Sequence, residues 1–166
     1  ISSVRNPGLK LKDESVEYLE LNHTTKLFFE SDYDTPETLG RDRIANVAGA
    51  VKIKAEKNIL VVDFGTCTTY SLVTDGVFRG GAISPGLDMR YKAFNAYTSG
   101  LPLVKKSLVL TEEVLGKTTE ASIRAGVESA GLLEIDAMIS AYCSLHQNLN
   151  VIATGGNLAF FESHLK

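Results

Sequence analysis

Tryptophan is absent from this sequence, and cysteine, methionine, histidine and proline are scarce, with two, two, three and four residues among 166. The two cysteines, Cys67 and Cys143, stand far apart with no C-x-x-C partner. Neither a cysteine-based zinc site nor a disulfide framework is indicated, and a reducing cytoplasm is the expected compartment. Long apolar runs are also missing. The longest, such as 59–62, are strand-length and fall far short of the roughly 18 residues that cross a bilayer, so no membrane partner is expected. Charge of one sign is not concentrated anywhere, and the formal net charge is only -3. Such a surface has no general field to draw in a polyanion, which argues against nucleic acid and leaves open a local pocket for a small anion. The chain opens Ile1-Ser2-Ser3-Val4, without an initiator methionine or a basic leader and apolar run. No secretory signal is expected, and an upstream piece is expected to be missing.

What is present describes an ordinary globular chain, 44% apolar and 22% charged. At this length folding buries about 70% of the unfolded surface, enough for a core without staples. Half-alternating apolar runs at 16–21 and 25–29, separated by Asn22-His23-Thr24, predict two strands. Thr35-Pro36-Glu37 combines a capping hydroxyl, proline at the first helical position and an acid, and predicts one short turn that Gly40 ends. From Asp42, Ile44, Val47, Ala48, Val51 and Ala55 recur at three and four, the period of an amphipathic helix of about four turns. Ile59-Leu60-Val61-Val62 reads as a strand covered on both faces. Strands at 66–73 and 77–83 flank Asp75-Gly76, a strong hairpin signal. Helices at 87–97 and 120–145 follow, the second weakened by Gly126 and Gly131, and then a short strand at 151–153. Mixed elements in this order give an α/β class.

The densest chemical signal is Asp63-Phe64-Gly65-Thr66-Cys67-Thr68-Thr69, where a buried strand turns into a hairpin. Glycine lets backbone N–H groups approach phosphate oxygens, threonine hydroxyls donate, and a carboxylate at the strand end can hold a cation. A hydroxyl-rich hairpin whose Asp satisfies turn amides has the same composition. Gly40-Arg41-Asp42-Arg43 is a second candidate. Asp42 can serve as a general base for a substrate hydroxyl, with Arg43 and the helix amides holding a carboxylate, or simply as the helix N-cap. Thr154-Gly155-Gly156-Asn157 can let a loop approach a nucleotide, or be a plain strand-to-loop turn. Gly116-Lys117-Thr118 imitates the end of a P-loop, but Thr111 stands where its first glycine belongs. That segment reads as a helix start with Thr111 as cap and Glu112 and Glu113 complementing the dipole. His23, His146 and His164 are isolated, and the zinc-protease, hydrolase-elbow and dinucleotide motifs are missing.

The segment from Tyr33 to Asn46, the Asp63–Thr69 turn, Gly80-Gly81-Ala82-Ile83-Ser84-Pro85-Gly86, Leu101-Pro102, Gly116-Lys117-Thr118-Thr119 and Thr154-Gly155-Gly156 occur in the order found in type III pantothenate kinases, which this chain resembles from Tyr33 onward. The resemblance implies the ribonuclease H-like fold of the acetate and sugar kinase, heat-shock ATPase and actin superfamily. It divides the chain into the remainder of an N-terminal domain with the substrate helix, 1–57, and a C-terminal domain, 58–166. It implies ATP-dependent phosphorylation of pantothenate to 4′-phosphopantothenate, the first step of coenzyme A biosynthesis, by a cytoplasmic homodimer with its substrate pocket near the interface. Asp42 would be the catalytic base, and Tyr33, Gly40, Arg41, Asp42, Arg43 and Thr119 would bind pantothenate. Gly65, Thr66, Thr68, Gly155 and Gly156 would face ATP, and Asp63 would bind K+ or NH4+, with Mg2+ or another divalent cation also required. The family's N-terminal Asp-x-Gly-Asn-Thr phosphate segment has no match here, and family chains continue past Lys166. Both ends are therefore expected to be trimmed, and this chain alone is expected to be a poor or inactive kinase. A non-catalytic regulator of the Bvg accessory factor type, which shares the family name, and another small-hydroxy-substrate kinase of the superfamily are the alternatives.

Overall fold

The computed structural model describes residues 15, 20–54, 57–110 and 112–166. Its framework is a five-stranded mixed sheet in the order β1-β4-β3-β2-β5, formed by β1 (Glu30–Ser31), β2 (Ile59–Phe64), β3 (Cys67–Thr74), β4 (Val77–Pro85) and β5 (Asn150–Thr154). The two hairpins are antiparallel, whereas β5 joins β2, and β1 joins β4, in parallel. Asp75 and Gly76 turn the second hairpin with φ of 53° and 79°. Positive φ at both central positions matches the twist of the flanking strands and explains the Asp-Gly pair.

Side chains alternate along β2, so its two sets of residues serve two cores. Leu60, Val62 and Phe64 pack with Tyr70 against α2 (Leu87–Tyr97) and the long helix over 119–145. Ile59 and Val61 join Val47 and Ala50 of α1 (Arg41–Ile53) on the opposite face. Asp63, continuing the second set at the end of β2, is thereby aimed at α1. This placement depends on the parity of a single strand.

The long helix comprises α3 (Thr119–Arg124), a π-helical stretch Ala125–Ser129 and α4 (Ala130–Leu145). The predicted helix is present, and the irregularity takes in Gly126, while Gly131 lies in the regular α4 just beyond it. A short α5 (Leu158–Phe161) follows β5 and was not anticipated; Phe161 nonetheless reaches the larger core.

Three local expectations are corrected. Residues 25–29 do not form a strand, because pairing with β4 begins only at Glu30. Phe29 is packed against the α1-face core without a ladder. The first expected strand, 16–21, lies largely outside the described residues. The helix cap near the false P-loop is Thr118, whose hydroxyl oxygen accepts from Ala121 N at 3.1 Å; residues 112–118 are not helical, and Thr111 lies outside the described residues. The short turn is a 3-10 turn over Pro36–Thr38 that ends at Leu39, leaving Gly40 as the N-cap of α1. Asp42 is consequently not the cap. Ala55, placed in this helix from its spacing, lies outside the described residues.

Candidate functional site

The helix period puts Asp42 and Asn46, four apart, on one side of α1. Asp42 folds back over the helix start, where its Oδ1 accepts from Arg43 N at 2.9 Å. A Cβ on Gly40 would lie 2.4 Å from that oxygen, so the glycine makes room for the carboxylate. One turn on, Asn46 Nδ2 donates to Asp63 Oδ2 at 2.8 Å and joins the helix to the end of β2. Burial raises the Asp63 carboxyl above its ordinary value, the Asn46 bond acts in the opposite sense, and the charge of Asp42 adds to the rise. Two carboxylates thus share one electrostatic environment with an amide beside them.

The turn after Asp63 is walled by glycine. Gly65 N donates to Cys67 O at 3.1 Å, closing the hairpin. A Cβ on Gly86 would lie 2.3 Å from Thr66 O and 2.6 Å from Gly65 O, and one on Gly155 would lie 2.4 Å from Asp63 Oδ1. Asn157 N donates to Phe64 O at 2.9 Å, which ties the loop after β5 to the same turn. The three glycine-bearing segments noted in the sequence therefore meet at one sheet end. Thr66 is exposed there, as are Gly155 and Gly156, while Gly65 is half-buried.

Strand parity separates the threonines. Thr69 pairs with Asp63 and alternates with Ser71 and Val73 toward α1, whereas Thr68 alternates with Tyr70 toward α2 and is 6% exposed. The motif gives Asn46 no role of its own and does not tell the side taken by Thr69 from that of Thr68. Their signal was the register of a strand and the phase of a helix, which emerges only once both elements are docked.

Arg43, in the first turn of α1, is buried. Its Nε donates to Ser71 Oγ at 3.1 Å and its Nη2 to Tyr70 O at 3.3 Å. The guanidinium lies over the rings of Tyr33 and Phe78, at 5.8 Å and 5.4 Å from their centroids, and these rings stack with centroids 5.8 Å apart. Tyr33 and Arg43 are thus neighbours. Arg41 points outward, paired with Glu20 in an exposed contact worth little energy.

Thr119 is placed elsewhere. It lines an open cleft of about 650 Å³ with Lys117, Thr118 and Ser122 over a floor that includes Phe94 and Ile123. None of Tyr33, Gly40–Arg43 or Asp63 lines that cleft.

Among the described residues no group of three or more His, Cys, Asp or Glu is placed to hold a metal ion. A hard cation needs less, since it takes carbonyl and water oxygens beside a single carboxylate. Asp63 Oδ1, which accepts no hydrogen bond from the described residues and faces Gly65 and Gly155, fits that role.

An α/β fold that brings one carboxylate at a strand end and one at a helix start beside glycine-walled turns has parts suited to positioning a phosphoryl group. The family model for type III pantothenate kinase matches residues 9–141. A type III pantothenate kinase from Cytophaga hutchinsonii is 45% identical over 170 residues, covering 100% of this chain and 71% of its own length. One from Christiangramia forsetii is 42% identical, covering 92% of this chain and 63% of its own length. One from Bacteroides fragilis is 45% identical over 135 residues, with 81% and 55% covered. The chain belongs to the type III pantothenate kinase family, and spans little more than half the length of some of these relatives. A solved structure named as a conserved Baf family transcriptional activator from Campylobacter jejuni superposes with a TM-score of 0.50 at 20% identity, covering 82% of this chain and 65% of that one; this likeness concerns the fold alone.

Proposed function

We propose that the complete protein to which this chain belongs is an ATP:pantothenate 4′-phosphotransferase acting in coenzyme A biosynthesis. The observation that carries the reading is the meeting of Asp42, Asn46 and Asp63 beside the glycine-walled turn, in a chain of this family. Asp42 takes the proton of the pantothenate hydroxyl as that oxygen bonds to the γ-phosphorus and ADP leaves. Gly40, Arg41, Arg43 and Tyr33 shape the pantothenate side, with Arg43 holding the tyrosine ring in place. Gly65, Thr66, Gly155 and Gly156 present backbone and hydroxyl groups to ATP. Thr68 acts from behind this turn, within the sheet. Bound Mg2+ and K+ (or NH4+) supply charge neutralisation at the phosphates. Asp63 is the residue here that suits the monovalent ion.

The reading includes the remainder of an N-terminal ribonuclease H-like domain with the substrate helix, 1–57, a C-terminal ribonuclease H-like domain, 58–166, and a cytoplasmic homodimer. The separate cleft of Thr119 supports a homodimer, since a second copy could bring that threonine to a substrate held at Asp42. Among the described residues, no helix is long and apolar enough to cross a membrane.

The test follows 4′-phosphopantothenate by mass spectrometry, using the complete gene product with ATP, magnesium and potassium. Wild type is expected to form product, and Asp42→Asn to lower kcat by about 10²- to 10⁴-fold with ATP binding retained. A folded, nucleotide-binding wild type that forms no product would overturn the substrate assignment.

A further inference from the structure

We propose that Asn46 is a positioning residue: its side-chain amide fixes one oxygen of Asp63 and thereby presents the other to a monovalent cation at the glycine-walled turn. The inference rests on the reading of Asp63 as the cation ligand, and goes beyond it by assigning the device that sets the carboxylate's direction.

The two Asp63 oxygens have different surroundings. Oδ2 accepts from Asn46 Nδ2 at 2.8 Å. Oδ1 accepts nothing from the described residues, and a Cβ would stand 2.4 Å from it at Gly155 and 3.4 Å from it at Gly65. Rotation of the carboxylate would exchange these environments. The bond to Asn46 is what holds each oxygen in its place, because among the described residues no other side chain hydrogen-bonds to Asp63.

An amide also suits the position chemically. Asp42 lies one turn away on the same side of α1 and is close enough to influence the Asp63 charge. A lysine or arginine at 46 would form an ion pair and occupy the oxygen that a cation needs. An aspartate would add a third negative charge and could not donate when ionised. Asparagine donates without changing the charge of the pair, so both carboxylates keep their separate tasks. Its anchorage is firm, because Val47 and Ala50 of the same helix are buried against Ile59 and Val61 of the strand that carries Asp63. Helix and strand therefore hold the two partners at a fixed separation.

The experiment compares wild type, Asn46→Ala, Asn46→Asp and Asn46→Ser in the complete gene product. KCl replaces choline chloride at constant ionic strength, and the thermal midpoint is followed first without substrates. The K+ half-saturation of phosphorylation and the KM for pantothenate are measured separately. Gly49→Ala serves as the control, since Gly49 is exposed and a Cβ there meets nothing within 4 Å. K+ is expected to raise the midpoint of wild type and of the control. In Asn46→Ala the K+ concentration needed should rise by about 10- to 100-fold, the usual effect of removing a group that orients a metal ligand. The KM for pantothenate should move far less. Asn46→Asp should be as impaired as the alanine variant or more, and Asn46→Ser, which retains a donor of shorter reach, should be intermediate. If Asn46→Ala does not fold, the serine and aspartate variants carry the same comparison.

Unchanged K+ half-saturation in the folded variants overturns the proposal, and so does a wild type that is indifferent to K+. A wild type that responds to K+ through Asn46 yet makes no phosphopantothenate supports the positioning role and defeats the substrate assignment instead.

Discussion

Tyr91 donates its phenolic hydrogen to Oε1 of Glu128, a carboxylate with 0% solvent exposure on the π-helical stretch. The same oxygen accepts from Ser107 N at 2.8 Å, so one glutamate ties α2 and the 101–110 segment to the long helix. Burial and Glu128 together raise the Tyr91 hydroxyl's pKa, which keeps the hydrogen on the donor. Oε2 has no partner among the described residues, and the carboxylate can ill spare either bond that it makes. Tyr91→Phe is expected to destabilise the protein by about 1–3 kcal/mol, the cost of taking one of its two hydrogen bonds from a buried carboxylate. At this size each kcal/mol lowers the thermal midpoint by about 2–4 °C. Calorimetry showing no loss would mean that Glu128 finds another donor.

The same substitution at Tyr70 should act in the opposite direction. The Tyr70 ring is 0% exposed and stacks near Tyr142 with centroids 6.2 Å apart, but its buried hydroxyl finds no hydrogen-bond partner among the described residues. Burial, with Glu134 nearby, pushes its pKa up to about 12. Removing an unpartnered buried hydroxyl leaves packing intact and relieves a desolvation cost. Tyr70→Phe is expected to be neutral or to stabilise by up to about 1 kcal/mol, read as an unchanged or higher thermal midpoint. A clear fall would reveal a hydrogen bond made by this hydroxyl in solution.

Glu134 controls one arm of the pH dependence. It accepts from Ser84 Oγ at 2.6 Å and pairs with Arg90 at 2.6 Å, so that β4, α2 and α4 close on one carboxylate. Desolvation raises its pKa, but the Ser84 and Arg90 bonds and the Arg90 charge outweigh this, leaving it below its ordinary value of 4.5. A depressed folded-state value contributes stability that is present above the unfolded value and lost as pH falls through the folded one. Glu134→Gln is therefore expected to be less stable than wild type at neutral pH, with the gap closing below pH 4.5. Denaturation midpoints from pH 7 to pH 3 measure it. A gap independent of pH would show that the glutamate acts through shape rather than charge.

The parts of this protein legible in its sequence are those specified by near neighbours in the chain. Asp75-Gly76 demands its hairpin through backbone φ alone, and the alternation of β2 and the spacing of α1 locate both elements. Asp42 and Asp63 stand out because each sits beside glycine at an element's end. Glu128 and Asn46 behave otherwise. A glutamate in a helix ordinarily faces water, whereas Glu128, within the π stretch, is buried against Tyr91 and Ser107. Asn46 looks like one more polar residue on an amphipathic helix until α1 docks on the face of β2 that carries Asp63. The expected strand at 25–29 fails for a related reason, since alternation shows which residues seek burial and does not supply a neighbouring strand. Thr111 was a plausible cap by composition. Thr118 is the cap because Gly116 lets the chain press on the first turn of α3, where a Cβ would lie 2.2 Å from Ser122 N.

Gly155 and Gly156 are adjacent and share an assignment to the nucleotide, but the structure gives them different sensitivities. Gly155 has φ of +104°, a conformation that strains any other residue. A Cβ there would meet the Asp63 side chain at Oδ1, 2.4 Å away, and Phe64 N at 2.5 Å, and the Phe64 backbone cannot swing aside. Gly156 has no positive φ, and its Cβ would meet nothing within 4 Å. Gly155→Ala is expected to cost about 1–3 kcal/mol through overpacking, with a comparable amount from backbone strain. It should also disturb the Asp63–Asn46 bond, coupling lost stability to lost K+ response. Gly156→Ala should leave the fold within about 0.5 kcal/mol of wild type, as a substitution in open space does. Its effect on ATP affinity then reports contact with the nucleotide alone. Urea denaturation and ATP titration of both variants, in the complete gene product, separate the two roles. If Gly156→Ala unfolds the protein as readily as Gly155→Ala, the close approach of the loop to Asp63 is not what makes this turn intolerant of side chains.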